Sequence, residues 1–346
     1  MPLPMLFDPN PATVAHATLA RLRRMLAACL LVATALLLTL PVQAAPRVAA
    51  DIAPVHSLVA QVMQGVGEPR LVIQRGASPH NYALRPSEAA ALERAEVVFW
   101  TSAQLTPWLD RALGNLAADA ERVELVETAG TTRHAFRESV TIDTTADANH
   151  DHDHDHDHDH GHDPGHDHAH DHEGVDPHAW LDPLNARHWL GVIATTLAEV
   201  DPANAALYRD NAAAGQARMD ALMADIEEAI TPVQERAFIV FHDAYQYYER
   251  RFGVRAVGAI SLSDATDPSP ARIAAIRELV QAHSVRCVFA EPQFNPSLVD
   301  TVLDGTRAET GVLDPLGSEI AEGPDFYPRL MQALTASLVD CLENGR

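Results

Sequence analysis

Four residues whose side chains can bind a metal ion lie near the ends of predicted elements: two end apolar runs, one follows a predicted strand and one precedes a helix. They are His80 in GASPHNY, His178 in DPHAWLDP, His242 in AFIVFHDAY and Asp314 in TGVLDPLG. Ligands of open parallel sheets bind beyond the carboxyl ends of the strands, so two residues from each half of the chain can converge there. Three imidazoles and one carboxylate suit a borderline cation such as Zn²⁺.

Four further histidines are comparable by residue type, and we expect them to be structural. His188 and His283 fall inside predicted helices, and His134 lies in a polar connection. His56 lies at the start of the first predicted helix, beside Pro54. Of the four, it is the one expected nearest the site where His80, His178, His242 and Asp314 converge.

A separate tract is built almost entirely of Asp and His. Eleven of the 19 histidines lie between His150 and His172, interrupted mainly by aspartate. Such a composition cannot bury enough apolar surface to fold, so residues 146–173 are predicted to be a mobile surface loop. The tract either binds metal ions weakly and passes them to the site formed by the four residues above, or is a solvated segment with no such role.

The elements that must position these residues follow an α/β rhythm, in which short β-rich runs alternate with helical patterns. This predicts two lobes, each with a four-stranded parallel sheet flanked by helices. The predicted strands are residues 47–52, 71–74, 96–101, 122–126, 238–241, 255–260, 286–290 and 311–313. The predicted helices are residues 87–94, 105–118, 244–252, 270–283, 296–309 and 326–342.

One long helical stretch joins the predicted lobes. Residues 202–230 start with a proline in the first turn and contain a single glycine, so we expect one rigid connecting helix. The predicted organisation has four parts. These are a leader over residues 1–44, an N-terminal lobe over 45–200, a linking helix over 201–231 and a C-terminal lobe over 232–346.

Composition and charge exclude one class of partner. The 346 residues carry 25 basic and 48 acidic side chains, for a formal net charge of −23. A nucleic acid would be repelled at long range, so no nucleic-acid partner is expected.

The N-terminus reads as a cleavable signal peptide. Arg21, Arg23 and Arg24 precede an apolar stretch that is too short for a comfortable membrane span, and small residues follow Pro41. A lipoprotein-like box around Cys29 is the minor alternative, because it precedes the apolar core. We therefore expect export to the periplasm.

Export leaves two cysteines, Cys287 and Cys341. In an oxidising compartment, two thiols without a His or Cys at ligand spacing favour a disulfide over half of a zinc site.

Five motifs, in order, resemble segments of the zinc-specific solute-binding proteins of bacterial ABC importers. They are GASPHNYALRPSE, DPHAWLDP, FHDAYQYYERRFG, CVFAEPQF and LDPLG. The resemblance covers nearly the whole chain beyond the leader. It implies a helix-linked pair of lobes, a Cys287–Cys341 disulfide and a metal-rich loop at the His/Asp tract.

The same resemblance implies that His80, His178 and His242 bind zinc. Related manganese receptors are expected to carry a carboxylate at the position of His242, and imidazole there favours zinc. Some zinc members have an acidic residue where this chain has Pro79, so Asp314 or a water must complete the ligand set, and we favour Asp314. Glu291 is assigned a supporting or structural role.

These observations predict a monomeric periplasmic receptor, without enzymatic activity, that captures Zn²⁺ and presents it to a membrane permease. The alternatives are a zinc-dependent hydrolase, or a periplasmic zinc buffer that serves no transporter. A hydrolase needs an open metal position and a general base, and no His-Glu-x-x-His helix or nucleophile elbow is present.

Overall fold

A computed structural model describes residues 25, 44–137, 174–261 and 268–344. The predicted leader and the 146–173 tract therefore lie outside the described residues, apart from Met25 and Ala44. Residues Ala45–Arg346 form one compact unit. No described helix is both long and apolar enough to span a membrane.

Two four-stranded sheets, parallel throughout, carry the fold of Ala45–Arg346. The strand order is β2-β1-β3-β4 in the first sheet and β6-β5-β7-β8 in the second. The strands are β1 Val48–Ala50, β2 Arg70–Leu71, β3 Val97–Trp100, β4 Glu121–Glu124, β5 Phe238–His242, β6 Ala256–Ser261, β7 Cys287–Ala290 and β8 Glu309–Val312. The predicted fold class is confirmed, and each predicted strand has its counterpart.

Helices cover these sheets and connect their strands. They are α1 Ala53–Val62, α2 Pro86–Glu93, α3 Pro107–Leu116, α4 Pro183–Val200, α5 Ala205–Ile230, α6 Gln246–Phe252, α7 Pro270–Ala282, α8 Ser297–Leu303 and α9 Phe326–Asn344. Proline in the first turn starts several of them, since it has no N–H to leave unpaired there.

The central strands are buried over their whole length. All residues of β3 and of β5 are buried, which explains why these segments read as continuous apolar runs. His242 is the polar end of β5, so burial of the strand carries this imidazole into the protein. A buried polar group of this kind needs a partner or a ligand.

The long connecting helix is present as predicted. A 3₁₀ turn at Pro202–Asn204 leads into the 26 residues of α5. The C-terminal helix α9 then packs against both α1 and α5. At its start, Tyr327 N–H donates to Ser57 Oγ over 3.0 Å, and its hydroxyl donates to the Trp180 carbonyl over 2.7 Å. The domain boundaries given above stay a prediction.

The disulfide Cys287–Cys341 is confirmed, and it joins the start of β7 to α9. The prediction of a helix over residues 296–309 is wrong at its C-terminal end. The helix stops at Leu303, and Gly305 adopts a φ of 76°, a left-handed turn conformation that favours glycine and lets β8 begin at Glu309. His283 is the C-cap of α7 instead of lying inside that helix.

Candidate metal centre

Three of the four predicted ligands come from segments that end at one place in the structure. His242 is the last residue of β5, and His178 immediately precedes the 3₁₀ turn Ala179–Leu181 that leads to α4. His80 lies in the turn region between β2 and α2. The sequence places these histidines 98 and 64 positions apart, and the parallel topology brings them together.

The spacing of the imidazole rings is close to what a shared metal ion requires. The ring centroids of His80 and His178 are 5.8 Å apart, and those of His178 and His242 are 5.3 Å apart. With Zn–N bonds of about 2.0–2.1 Å and tetrahedral angles, two ligating imidazoles have centroids about 5 Å apart. Among the residues that the structure describes, no three His, Cys, Asp or Glu side chains form a group that could hold a metal ion.

A buried carboxylate orients His178. Asp176 Oδ1 lies 2.7 Å from His178 Nδ1 and also accepts the His178 backbone N–H over 3.0 Å. The carboxylate favours the tautomer with the proton on Nδ1, which leaves the lone pair of Nε2 for a metal. Burial raises the pKa of Asp176 to about 7, and hydrogen bonding with charges nearby opposes that rise.

His242 has the same arrangement with a different partner. Glu291 Oε1, just beyond β7, lies 2.7 Å from His242 Nδ1, and the Glu291 side chain is buried. This agrees with the supporting role predicted for Glu291. Two of the three imidazoles thus have their Nδ1 atoms engaged by carboxylates, the arrangement that increases the basicity of a ligating histidine.

The His80 segment is held mainly through its backbone. The indole Nε1–H of Trp108 donates to the Pro79 carbonyl over 2.7 Å, and the His80 N–H donates to Ser78 Oγ over 3.3 Å. Pro79 has no side chain that could bind a metal ion, so the candidate ligand of this segment is the His80 imidazole.

These histidines line one small cavity. The cavity has a volume of about 20 Å³, which is enough for one or two species of the size of a water molecule. Its walls combine the three histidines with apolar rings, and the wall residues are Ser78, Pro79, His80, His178, Trp180, His242, Glu291, Gln293, Phe294, Pro315 and Leu316. Apolar walls lower the local dielectric, so electrostatic interactions inside are strong.

Asp314, the predicted fourth ligand, is placed differently. Its Oδ1 accepts the N–H groups of Leu316 and Gly317 and the amide of Gln293, and its Oδ2 accepts the N–H and hydroxyl of Ser318. It is not among the described residues that line the cavity. Five donors make it the organiser of the turn after β8, and its ligation of zinc stays a prediction.

A buried ion-pair network lies beside the histidines. Arg137 donates two hydrogen bonds to Glu249, of 2.9 and 3.0 Å, and one of 3.0 Å to Asp243, the neighbour of His242. Burial raises the pKa values of Asp243 and Glu249, while Arg137 opposes that effect. Nothing in the sequence pattern marked Arg137 or Gln293, whereas Asp176 stands two positions before His178 and could have been considered.

The four other candidate histidines lie elsewhere in the structure. His56 Nε2 lies 3.1 Å from the Pro69 carbonyl, and the His134 ring packs on Tyr247 with centroids 4.7 Å apart. The His188 ring lies so close to Gly130 that a Cβ there would be 2.9 Å from its Cε1, and His283 is exposed. Within the part of the chain that the structure describes, none of these four lines the cavity.

Two parallel α/β sheets, with histidines gathered around a small cavity near the strand ends, are typical of a two-lobed binding protein for a metal ion. Residues 48–341 match the family described as zinc-uptake complex component A, periplasmic, and the chain belongs to this family.

Curated relatives and solved structures agree with that assignment. The chain is 47% identical over 304 residues to the high-affinity zinc uptake system protein ZnuA of Brucella abortus, covering 85% of this chain and 91% of the relative. It is 46% identical over 299 residues to the same protein of Paracoccus denitrificans, covering 86% and 92%. A crystal structure of ZnuA matches the fold with a TM-score of 0.67 at 21% identity, covering 86% of this chain and 99% of that one.

Proposed function

We propose that this protein is the periplasmic zinc receptor of an ABC import system, which binds Zn²⁺ through His80, His178 and His242 and delivers it to a membrane permease. The observation that carries the proposal is the pair of carboxylate-oriented imidazoles, His178 and His242, facing a cavity that His80 also lines. Membership of the zinc-uptake family and 47% identity to a zinc uptake protein support the same metal and the same kind of partner.

The finer parts of the proposal rest on the sequence. Residues 1–44 direct export and are removed, the receptor acts as a monomer, and residues 146–173 add weak metal sites separate from the cavity. Family membership favours a receptor over a zinc hydrolase. A zinc buffer would share the site and differ only in having no permease, so unimpaired growth on low zinc after deletion of the gene would favour the buffer.

Competition titration with a chelator of known zinc affinity tests the binding site. His80→Ala, His178→Ala and His242→Ala each remove one imidazole, and each is expected to weaken tight zinc binding at least 10-fold, while His283→Ala, which alters an exposed histidine, should not. Deletion of residues 146–173 should leave one tight equivalent of zinc. Wild-type affinity in all three cavity variants would overturn the assignment.

A further inference from the structure

His80 is the most exposed of the three candidate ligands. His178 and His242 are buried, whereas His80 is half-buried in the segment 74–82 between β2 and α2, which forms neither a helix nor a strand. A segment of this kind opens at a lower cost in free energy than the elements packed in the core. The cavity therefore opens most readily at residues 74–82, which we call the His80 segment.

Arg75 connects the His80 segment to the second half of the chain. Its Nη1 donates to the Ile320 carbonyl over 2.7 Å and to the Ser318 carbonyl over 3.4 Å, and its Nε lies 3.3 Å from Glu322 Oε1. A guanidinium is planar and always charged, so it can hold several oxygen atoms of one short segment at the same time. The hydrogen bond to Ile320 contributes most, because an exposed ion pair is worth little.

The segment that accepts these bonds is itself held in place. Asp314 Oδ2 accepts both the N–H and the hydroxyl of Ser318, each over 2.6 Å. Further along, the Ser57 hydroxyl of α1 donates to the Pro324 carbonyl over 3.2 Å. Pro315, next to Asp314, lines the cavity. Arg75 therefore joins a half-buried turn that carries a candidate ligand to a fixed part of the same cavity.

We propose that Arg75 is a positioning residue, which holds the His80 segment against residues 314–322 and thereby slows the release of zinc from the cavity. When its contacts break, the His80 imidazole can leave the ion and open a path to solvent, while the two sheets stay in place. The inference rests on the function proposed above and adds to it a point of kinetic control. It also gives the hydrogen bonds of Asp314 a use, since they fix the acceptors of Arg75.

The rate of zinc release from the full chain tests the role of Arg75. The protein is loaded with one equivalent of Zn²⁺ and mixed with an excess of a coloured chelator, and the phase that is absent from His242→Ala belongs to the cavity. Arg75→Met removes the donors and is expected to speed this phase on the order of 10-fold. Arg75→Lys, which can still donate to one carbonyl, should release zinc at an intermediate rate.

Arg187→Met is the matched control and should release zinc as wild type does. Arg187 pairs with Asp220 at 2.7 Å, far along the chain from the cavity residues. Its side chain and that of Asp220 are 39% and 53% exposed, against 36% and 42% for Arg75 and Glu322, so the two pairs are alike in exposure.

A reversible cross-link tests the same contact in the opposite direction. A Cβ on Gly76 would lie 3.7 Å from the Ser318 Cβ, a separation that a disulfide spans. Gly76→Cys combined with Ser318→Cys is therefore expected to form a disulfide, and to release zinc on the order of 10-fold more slowly when oxidised than when reduced. Gly76 has a φ of 78°, so a cysteine strains the turn, but both forms of the variant share this effect. Wild type under the same reductant accounts for reduction of Cys287–Cys341.

Equal release rates in wild type and Arg75→Met, or equal acceleration in Arg187→Met, would overturn the inference. If Arg75→Met does not fold, the cross-linked variant decides. Equal release from its oxidised and reduced forms, or failure of the two cysteines to form a disulfide, would also overturn the inference. If no release phase distinguishes wild type from His242→Ala, the proposed function is refuted, and the inference falls with it.

Discussion

At the scale of single residues, two of the candidate histidines each have a carboxylate as hydrogen-bond partner. Asp176 and Glu291 each engage an Nδ1 atom at 2.7 Å, and both carboxylates are buried. A histidine held in this way presents Nε2 in a fixed direction, so less freedom is lost when the ion binds.

These contacts predict that the Asp176 and Glu291 carboxylates both strengthen zinc binding. Asp176→Asn and Glu291→Gln keep the size of the side chain but replace the carboxylate with a neutral amide. Each is expected to weaken zinc binding by roughly 10- to 100-fold, because the imidazole becomes less basic and less well oriented. Chelator competition measures the effect, with Asp225→Asn on the exposed face of α5 as the control. Unchanged affinity in both variants would contradict the supporting role.

The buried carboxylate of Asp51 is expected to make the stability of the fold depend on pH. Its carboxylate is fully buried at the end of β1, where it accepts the N–H groups of Ile52 and Thr101 over 2.8 and 2.6 Å. Burial raises its pKa from 3.8 to about 6. A pKa that is higher in the folded state means that protonation favours folding, so this stabilising contribution is present below about pH 4 and is lost as the pH rises through 6.

The measurement compares wild type with Asp51→Asn, which cannot ionise. Between pH 4 and pH 7 the free energy of unfolding of the wild type should fall relative to the variant by up to about 3 kcal/mol. Urea denaturation in the presence of a chelator, which removes any contribution of bound metal, gives both curves. Parallel curves across that range would exclude Asp51 as the titrating group.

At the scale of elements, the segments on either side of the His/Asp tract are fixed to the second sheet. Ala135 and Val175 form an antiparallel bridge, and the Asp176 N–H donates to the His134 carbonyl over 2.8 Å. Arg137 then pairs with Asp243 and Glu249, next to β5 and within α6. The element that carries His178 is thereby joined to the one that carries His242.

Loss of Arg137 should therefore destabilise the fold. Arg137→Met leaves Asp243 and Glu249 buried without their cation, and the expected cost in free energy of unfolding is about 3–5 kcal/mol. The matched control is Arg133→Met. Arg133 pairs with Glu127 at 2.8 Å, but the two side chains are 48% and 46% exposed, so its loss should cost no more than about 1 kcal/mol. Equal costs in urea denaturation would contradict a structural role for the network.

The sequence was sufficient to predict the elements and only part of the site. Buried parallel strands have strong apolar runs, so β3 and β5 were predictable. The place of His242 at the end of β5 was predictable in the same way, whereas the choice of His80 and His178 over the other histidines depended on the resemblance to zinc-specific binding proteins. Asp314 shows where such reasoning stops, since a carboxylate just after a strand can equally bind an ion or organise a turn. Gln293 and Arg137 have no periodic signature, because their roles depend on contacts between distant segments.

At the scale of the whole molecule, Ala45–Arg346 is one compact unit despite its two sheets. A single hydrophobic cluster runs from the first sheet through α4, α5 and α9 to part of the second sheet. The return of α9 onto α1 and α5 adds a connection between the halves, and the disulfide joins α9 to β7. This continuous packing favours one fixed arrangement of the two sheets.

The central claim is that His80, His178 and His242 bind a single zinc ion together. A crystal structure of the zinc-loaded protein, with the ion located by its anomalous scattering at the zinc edge, tests this most directly. The account predicts one ion in the cavity, with the Nε2 atoms of all three histidines about 2.0–2.1 Å away. A cavity without the ion, or an ion bound by fewer than these three histidines, would contradict it.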